Sequence, residues 1–236
     1  MSLITRPKRC GFTLVELIIV MAIMGIFMTS LFAVFKNSLD AWKKSEAKLA
    51  VYQNARTILD QMSREIQTAV FDPANGVHAK GYEKGSGIKT DSQGDEFFFV
   101  GIVDAGDADL AEIGYWIDSG HVLRRHYDVA EKGEIPALDF NFTTPDSSKY
   151  SDDELGFDVT DLQFKFHYRT TTLEWAATEN ANWDSSSDNI ANLAANGLLK
   201  TPDGLPNGVE IEITIQDSTQ KEAVTFSTLV YIPQSK

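Results

Sequence analysis

The sequence predicts an α+β protein in which one long N-terminal helix packs on a C-terminal antiparallel β-sheet head. Three successive patterns support this fold class. An apolar run extends from Phe12 to Phe35, an apolar stripe with a 3.6-residue period continues to about residue 72, and apolar and polar residues then alternate with period 2. These patterns are typical of a membrane-spanning helix, an amphipathic helix and half-buried strands, respectively.

Residues 1–11 are predicted to be a cleaved basic leader that ends at Gly11. Its three cations are Arg6, Lys8 and Arg9. A secretory signal peptide is cleaved after its hydrophobic region, whereas the small-residue junction here lies before it. Cleavage after Gly11 would therefore leave the apolar helix on the mature protein, with Phe12 as its first residue.

Residues 12–35 are predicted to span a membrane. The segment has 24 residues and one ionisable side chain, Glu16, and as a helix it would extend roughly 36 Å, enough to cross a ~30 Å hydrocarbon layer. Its 14 Phe, Leu, Ile and Val residues outweigh the penalty of about 2.5 to 3.5 kcal/mol for one carboxylate. Two interpretations of Glu16 stay open. Its side chain can reach the interface, or it can pair with a cation such as the new amino group of Phe12.

Residues 36–72 are predicted to continue the helix outside the membrane and to pack against a soluble domain. The predicted stripe consists of Leu39, Trp42, Leu49, Tyr52, Ala55, Leu59, Met62, Ile66 and Ala69. Asp72-Pro73 should end the helix, because the residue before a proline disfavours the α conformation. The membrane-spanning part has no domain to pack on, so we expect it to meet sister helices or lipid.

Residues 73–236 are predicted to form a β-rich globular head, and their length is ample for one hydrophobic core. The predicted strands are residues 96–103, a hairpin of 113–117 and 121–125 with its turn at Ser119-Gly120, residues 162–168, and a C-terminal hairpin of 209–216 and 224–232.

The composition excludes several kinds of protein. With 21 basic and 34 acidic residues the chain has a net charge of −13, which becomes −16 when the three leader cations are removed. A phosphate backbone would repel such a protein, so we expect no nucleic-acid partner. The single cysteine, Cys10, lies in the leader, so we expect the mature protein to lack disulfides and cysteine metal sites.

No catalytic constellation is recognisable, and we expect neither an enzyme nor a cofactor. His121 and His126 should point to opposite faces of a strand, and His78 and His167 have no metal-ligand spacing. Calcium is the one alternative left open, although neither acidic run follows an EF-hand pattern. The two runs are Asp104, Asp107, Asp109 and Glu112, and Asp152, Asp153 and Glu154.

The basic leader, Gly11, Phe12, Glu16 and the unbroken apolar helix together resemble the type IV prepilin signature, which pilins and type II secretion pseudopilins share. The resemblance implies a pilin-like fold and cleavage between Gly11 and Phe12 by the prepilin peptidase. It also implies N-methylation of Phe12 and pairing of Glu16 with the amine of an adjacent subunit. The protein would be a single-pass inner-membrane protein in contact with lipid, with a cytoplasmic leader and a periplasmic head.

Three stretches of the chain are similar to the J-type minor pseudopilins of type II secretion. These stretches are residues 64–70, 157–168 and 205–213. The similarity implies a structural component at the pseudopilus tip, bound to the I-type and K-type minor pseudopilins, that helps to start the filament used in protein export across the outer membrane. The alternatives are a minor type IV pilin, acting in pilus initiation or adhesion, and a membrane-anchored enzyme, which would need a polar pocket.

Overall fold

A computed structural model of the 236-residue chain confirms the predicted α+β class. It describes residues 12–72, 77, 79–89, 92–105, 108–129, 150–169, 175–177, 183–184, 206–216 and 222–233. The chain forms two compact units, Met1–Ala47 and Lys48–Lys236. The second unit therefore includes the C-terminal part of the long helix together with the β-rich head.

The long helix, α1, extends from Leu14 to Gln67. It ends at Gln67 rather than near the predicted residue 72, because the chain turns at Thr68 and enters a sheet. The Thr68 hydroxyl and backbone N–H both donate to the carbonyl of Glu65, at 2.7 and 3.0 Å. Asp72 instead forms an antiparallel bridge with Val77. Pairing with a strand therefore overrides the helical pattern in the last predicted turn.

Eleven strands follow in the described part of the chain. They are β1 Ala69–Val70, β2 Lys80–Tyr82, β3 Glu96–Ala105, β4 Ala108–Ile117, β5 Leu123–Val129, β6 Tyr150–Gly156, β7 Val159–Arg169, β8 Trp175–Ala177, β9 Trp183–Asp184, β10 Gly208–Gln216 and β11 Ala223–Tyr231. Among described residues the first sheet has the order β6-β5-β4-β3-β2-β9, with β1 also pairing with β3, and the second has the order β11-β10-β7-β8. All of these pairings are antiparallel.

Both predicted hairpins are confirmed, as β4–β5 and β10–β11. In the turn of the first, the Asp118 carboxylate accepts hydrogen bonds from the backbone N–H groups of Gly120 and Val122, at 2.8 and 3.0 Å. The left-handed position is occupied by His121, with φ of 60°, rather than by the glycine. This is the geometry of a three-residue loop, in which a turn is followed by one left-handed residue.

The core contains one face of α1 and the inward faces of both sheets. The buried helix residues are Ala55, Ile58, Leu59, Met62 and Ile66. The predicted stripe is thus buried from Ala55 onwards, whereas Leu39, Trp42, Leu49 and Tyr52 are exposed. Gly156 permits close packing at this helix face, because a Cβ there would lie 2.4 Å from Cδ1 of Ile58.

Asp95 joins the two sheets where β3 begins. Its backbone N–H donates to the carbonyl of Leu162, and its carboxylate accepts from the backbone N–H of Phe164, at 2.9 and 3.0 Å. The same carboxylate accepts from Lys84 N–H at 3.0 Å. The backbones approach closely here, since a Cβ on Gly94 would lie 3.0 Å from the Leu162 carbonyl oxygen.

Candidate assembly site

The N-terminal end of α1 is a capped helix terminus on an uncovered apolar segment. The Thr13 hydroxyl accepts a hydrogen bond from the backbone N–H of Glu16 at 3.3 Å, the arrangement of an N-cap. Glu16 therefore lies in the first helical turn, where the helix dipole favours a negative charge. Phe12 directly precedes the cap and is 79% exposed.

The side chains of this segment find no cover within the described chain. Every described residue from Phe12 to Phe35 is exposed, and α1 is the one described helix long and apolar enough to cross a membrane. Such a continuous apolar surface needs lipid or another protein around it. Within the described part of the chain, Glu16 likewise forms no salt bridge.

The predicted site residues of the leader cannot be placed, because they lie outside the described residues. These are Arg6, Lys8, Arg9 and Gly11. The structure brings Phe12 and Glu16 to the same end of α1, as expected from their spacing. Cleavage after Gly11, methylation of Phe12 and pairing of Glu16 remain predictions.

A second polar site fixes the C-terminal end of α1 to the first sheet. The Arg125 guanidinium donates to both carboxylate oxygens of Glu65, at 2.9 and 3.0 Å, and to Asp153 at 3.1 Å. The Tyr115 hydroxyl donates to the same Glu65 carboxylate, and the Arg125 guanidinium lies 4.1 Å from the centre of the Tyr127 ring. We call Glu65, Tyr115, Arg125 and Asp153 the helix-locking cluster.

Burial and charge both act on the helix-locking cluster. Burial raises the pKa of Tyr115 well above its ordinary value, and the negative Glu65 beside it adds to the rise. Burial opposes the charged form of Arg125, but hydrogen bonding to Glu65 together with the negative charges of Glu65 and Asp153 outweighs this and raises the pKa of Arg125. Tyr115 therefore stays neutral and Arg125 stays charged at ordinary pH. The cluster therefore positions the helix on the sheet.

Sequence reasoning missed this cluster. Glu65 lies outside the apolar stripe, so the 3.6-residue period gives no sign that its side chain is covered. The predicted two-residue turn at Ser119-Gly120 would place Arg125 opposite Gly114. The observed three-residue loop instead places Arg125 directly opposite Tyr115. Their shared partner lies 60 residues from Arg125, and only the packing of α1 on the sheet brings it near.

The histidines have separate surroundings. His121 lies in a turn, His126 is buried on β5, and His167 lies 3.1 Å from the Glu210 carboxylate across the β7–β10 pair. His78 lies outside the described residues. His121 and His126 thus do not share a strand, contrary to expectation, because the turn extends through His121.

The described residues contain no group of three or more His, Cys, Asp or Glu side chains that could hold a metal ion. In the two acidic runs, the side chains of Asp104, Asp107, Asp109 and Asp152 lie outside the described residues. Calcium binding therefore stays untested. A cavity of about 430 Å³ is lined by Gln67, Asn207, Tyr231, Ile232 and Pro233, with no acid, base or histidine among them.

Three features together define a type IV prepilin-like subunit. They are an apolar helix that begins at a processing-type junction, one acid in the first turn of that helix, and a β-rich head after it. Residues 6–32 match the family model of the prokaryotic N-terminal methylation motif. Residues 33–226 match the family model of type II secretion system (T2SS) protein J. Because the second match covers most of the chain, the protein belongs to the T2SS protein J family.

This membership confirms the predicted minor pseudopilin of type II secretion and does not favour a minor type IV pilin. The family is a structural component of the system, and its prepilin motif implies processing by a prepilin peptidase and assembly with other pseudopilins. The single apolar helix is consistent with a single-pass inner-membrane protein. No curated protein and no solved structure shows significant similarity to the chain.

Proposed function

We propose that this minor pseudopilin is cleaved between Gly11 and Phe12, methylated at Phe12, and assembled with Glu16 paired to the amine of an adjacent subunit. The observation that carries the proposal is the isolated acid. Glu16 is the one ionisable side chain between Phe12 and Phe35. An acid at this depth favours a cationic partner, and the free amine of a neighbouring Phe12 supplies one.

The assembled subunit acts as a scaffold rather than as an enzyme, and it needs no cofactor. The leader faces the cytoplasm and the head faces the periplasm, at the pseudopilus tip beside the I-type and K-type minor pseudopilins. Removing the apolar helix from lipid is unfavourable, and packing against neighbouring helices offsets that cost. The exposed surface of α1 supports this role, since it is available for such packing.

The processing step is tested with Gly11→Leu in the full-length chain, expressed in its host. Leucine cannot occupy a small-residue junction, so the precursor should accumulate in the inner membrane at its uncut mass. Mass spectrometry of the purified protein measures this directly, and Gly25→Ala provides a control because a Cβ there meets nothing within 4 Å. A mature mass in the Gly11→Leu protein would contradict the assigned cleavage site.

The assembly step is tested with Glu16→Ala and its charge-retaining control, Glu16→Asp. Glu16→Ala should insert and fold normally, yet crosslink to other pseudopilins at least tenfold less than the wild type. Glu16→Asp should retain part of the crosslinking, because it keeps the charge. Normal incorporation of Glu16→Ala would refute the role of this carboxylate.

A further inference from the structure

β11 lies at the edge of the second sheet: β10 pairs with one side of it, and no described strand pairs with the other. The N–H of Ile232 donates to the carbonyl of Asn207 at 3.0 Å. This bond sets the phase of the ladder, because hydrogen-bonded pairs alternate with non-hydrogen-bonded pairs in antiparallel strands. In the central part of β11, the backbone groups that point away from β10 are therefore those of Thr225, Ser227 and Leu229.

The side of β11 with no described partner strand lacks the features that normally prevent strand addition. Its sequence, AVTFSTLVY, has no charged residue, proline or glycine, and its pairing with β10 is regular over all nine residues. By contrast β6, the other long edge strand in the described chain, has the sequence YSDDELG and pairs irregularly with β5. Charges and bulges of this kind are what protect an edge from another strand. β6 is thus protected, whereas β11 is suited to pairing.

The inward face of β11 is only half covered. Ile211, Ile213 and Ile215 on β10 are buried, whereas their partners Thr228, Phe226 and Val224 are partly exposed. The Phe226 ring packs edge-to-face on Tyr52 of α1, with centroids 5.1 Å apart, and Tyr52 is itself 55% exposed. An added strand would cover this apolar surface with every second side chain.

We propose that β11 is a β-augmentation site that receives an extended segment from another pseudopilin. The inference rests on the proposed function, because it presupposes assembly with partner subunits. Apolar side chains of the segment face Phe226 and Tyr52, and basic side chains lie on the opposite face of the sheet. There Glu212 lies opposite Ser227, within reach of a long cation across β11, whereas the Glu210 carboxylate contacts His167 on β7.

Charge distinguishes a different subunit from a second copy of this chain. The chain has a net charge of −13. A self-pair would therefore place two equally acidic heads side by side. Such like-charge contact opposes association, whereas a partner strand with basic side chains is attracted to the same surface. The occupant is therefore assigned to a partner whose strand alternates apolar and basic residues.

The test uses photo-crosslinking in the full-length chain in host membranes. A photoreactive residue replaces Leu229 on β11, and in a matched control it replaces Phe157, which is 57% exposed in the turn after β6. The Leu229 probe should label an extended segment of another pseudopilin at least tenfold more than the Phe157 probe. Peptide mapping should show alternating apolar and basic residues in that segment.

Substitution at Ser227 then separates strand pairing from mere proximity. Ser227→Pro removes an outward N–H but none of the hydrogen bonds to β10, so it should reduce labelling from Leu229 at least tenfold at an unchanged melting temperature. Ser227→Ala should have no effect. If Ser227→Pro disturbs folding, Ser227→Lys provides the same test by placing a charge at the edge.

Three results would overturn the inference: labelling of a second copy of this chain, equal labelling by the two probes, or full labelling in folded Ser227→Pro and Ser227→Lys proteins. Failure of the proposed function would give different experimental results. The chain would then keep its uncut mass, or would assemble without Glu16, whatever residue occupies position 227.

Discussion

Glu96 is a buried acid at the start of β3, and its carboxylate holds the preceding loop. It accepts hydrogen bonds from the backbone N–H groups of Ile88 and Lys89, at 2.8 and 3.2 Å. A Cβ on Gly87 would lie 2.2 Å from the Glu96 carboxyl carbon, so a side chain there would displace the carboxylate. Burial nevertheless raises the pKa of Glu96 above its ordinary value of 4.5, because it disfavours the charged form.

This raised pKa predicts the sign of a pH effect on stability. A folded-state pKa above the unfolded one contributes stability that is complete below about pH 4.5 and is lost as pH rises through the folded value. The stability difference between wild type and Glu96→Gln should therefore shift against the wild type as pH rises from 4 to 7. Denaturant unfolding of the detergent-solubilised chain, followed by tryptophan fluorescence, measures the difference.

Asp118→Asn is the matched control for Glu96→Gln. Burial opposes the charged form of Asp118, but the Arg124 guanidinium and the N–H groups of Val122 and Gly120 outweigh it and lower the pKa of Asp118 below 3.8. Its contribution is present above about pH 3.8 and is lost as pH falls below that value. From pH 4 to 7 the stability difference between wild type and Asp118→Asn should therefore stay nearly constant, whereas the difference for Glu96→Gln changes. Parallel curves for wild type and Glu96→Gln would contradict the assigned effect of burial.

At the scale of single residues, the sequence predicts the position of a side chain where that position depends on residues close by in the chain. The spacing of Phe12 and Glu16 placed both at one end of a helix, and the structure agrees. The roles of Glu65, Asp95 and Glu96 could not be predicted, because an acid in a sequence is ordinarily solvated. Their burial results from the approach of distant elements.

At the scale of elements, the helix-locking cluster decides how α1 is seated on the first sheet. Arg125 and Glu65 have side chains only 12% and 18% exposed, so removal of one partner leaves a largely buried charge. Arg125→Met should therefore destabilise the head by about 3 kcal/mol. In a Glu65→Leu background the same substitution should cost much less, because the remaining carboxylate partner, Asp153, is 49% exposed and can be solvated. Denaturant unfolding of the four proteins completes this double-mutant cycle.

The exposed ion pair of α1 provides the control for this cycle. Arg56 lies 3.6 Å from Asp60, and their side chains are 84% and 58% exposed. Arg56→Met should change stability by less than about 0.5 kcal/mol. If Arg125→Met were equally mild, or if its cost were the same with and without Glu65, the cluster would not hold the helix.

Elements were predictable where a pattern repeats, and less so where two patterns compete. The β10–β11 hairpin follows from strict alternation, and both strands occur where expected. The end of α1 was placed too late because Ala69 fits the helical stripe. In the folded chain Ala69 pairs with Gly101 of β3, and that pairing depends on a strand far away in sequence.

At the scale of the whole molecule, apolar side chains divide into those the head covers and those it leaves exposed. Trp183 is 4% exposed and packs on Phe166 and Tyr168, whereas Trp42 on α1 is 72% exposed. The apolar stripe of α1 alone did not distinguish its exposed residues, such as Trp42, from its buried residues, such as Met62. Periodicity identifies an apolar face but not what covers it. An exposed tryptophan on a membrane-anchored assembly subunit is expected to meet a partner or the membrane interface.

Trp42→Ala should therefore separate assembly from folding. It should change the unfolding free energy of the head by less than about 0.5 kcal/mol, because Trp42 loses no core contacts. Crosslinking to other pseudopilins and secretion should nevertheless fall severalfold, since the substitution removes apolar surface that the assembly covers. Trp183→Ala should instead destabilise the head by about 3 to 5 kcal/mol, because it leaves a cavity in the core. A Trp42→Ala protein that unfolds early, or that assembles and secretes like the wild type, would show that this surface is not kept for a partner.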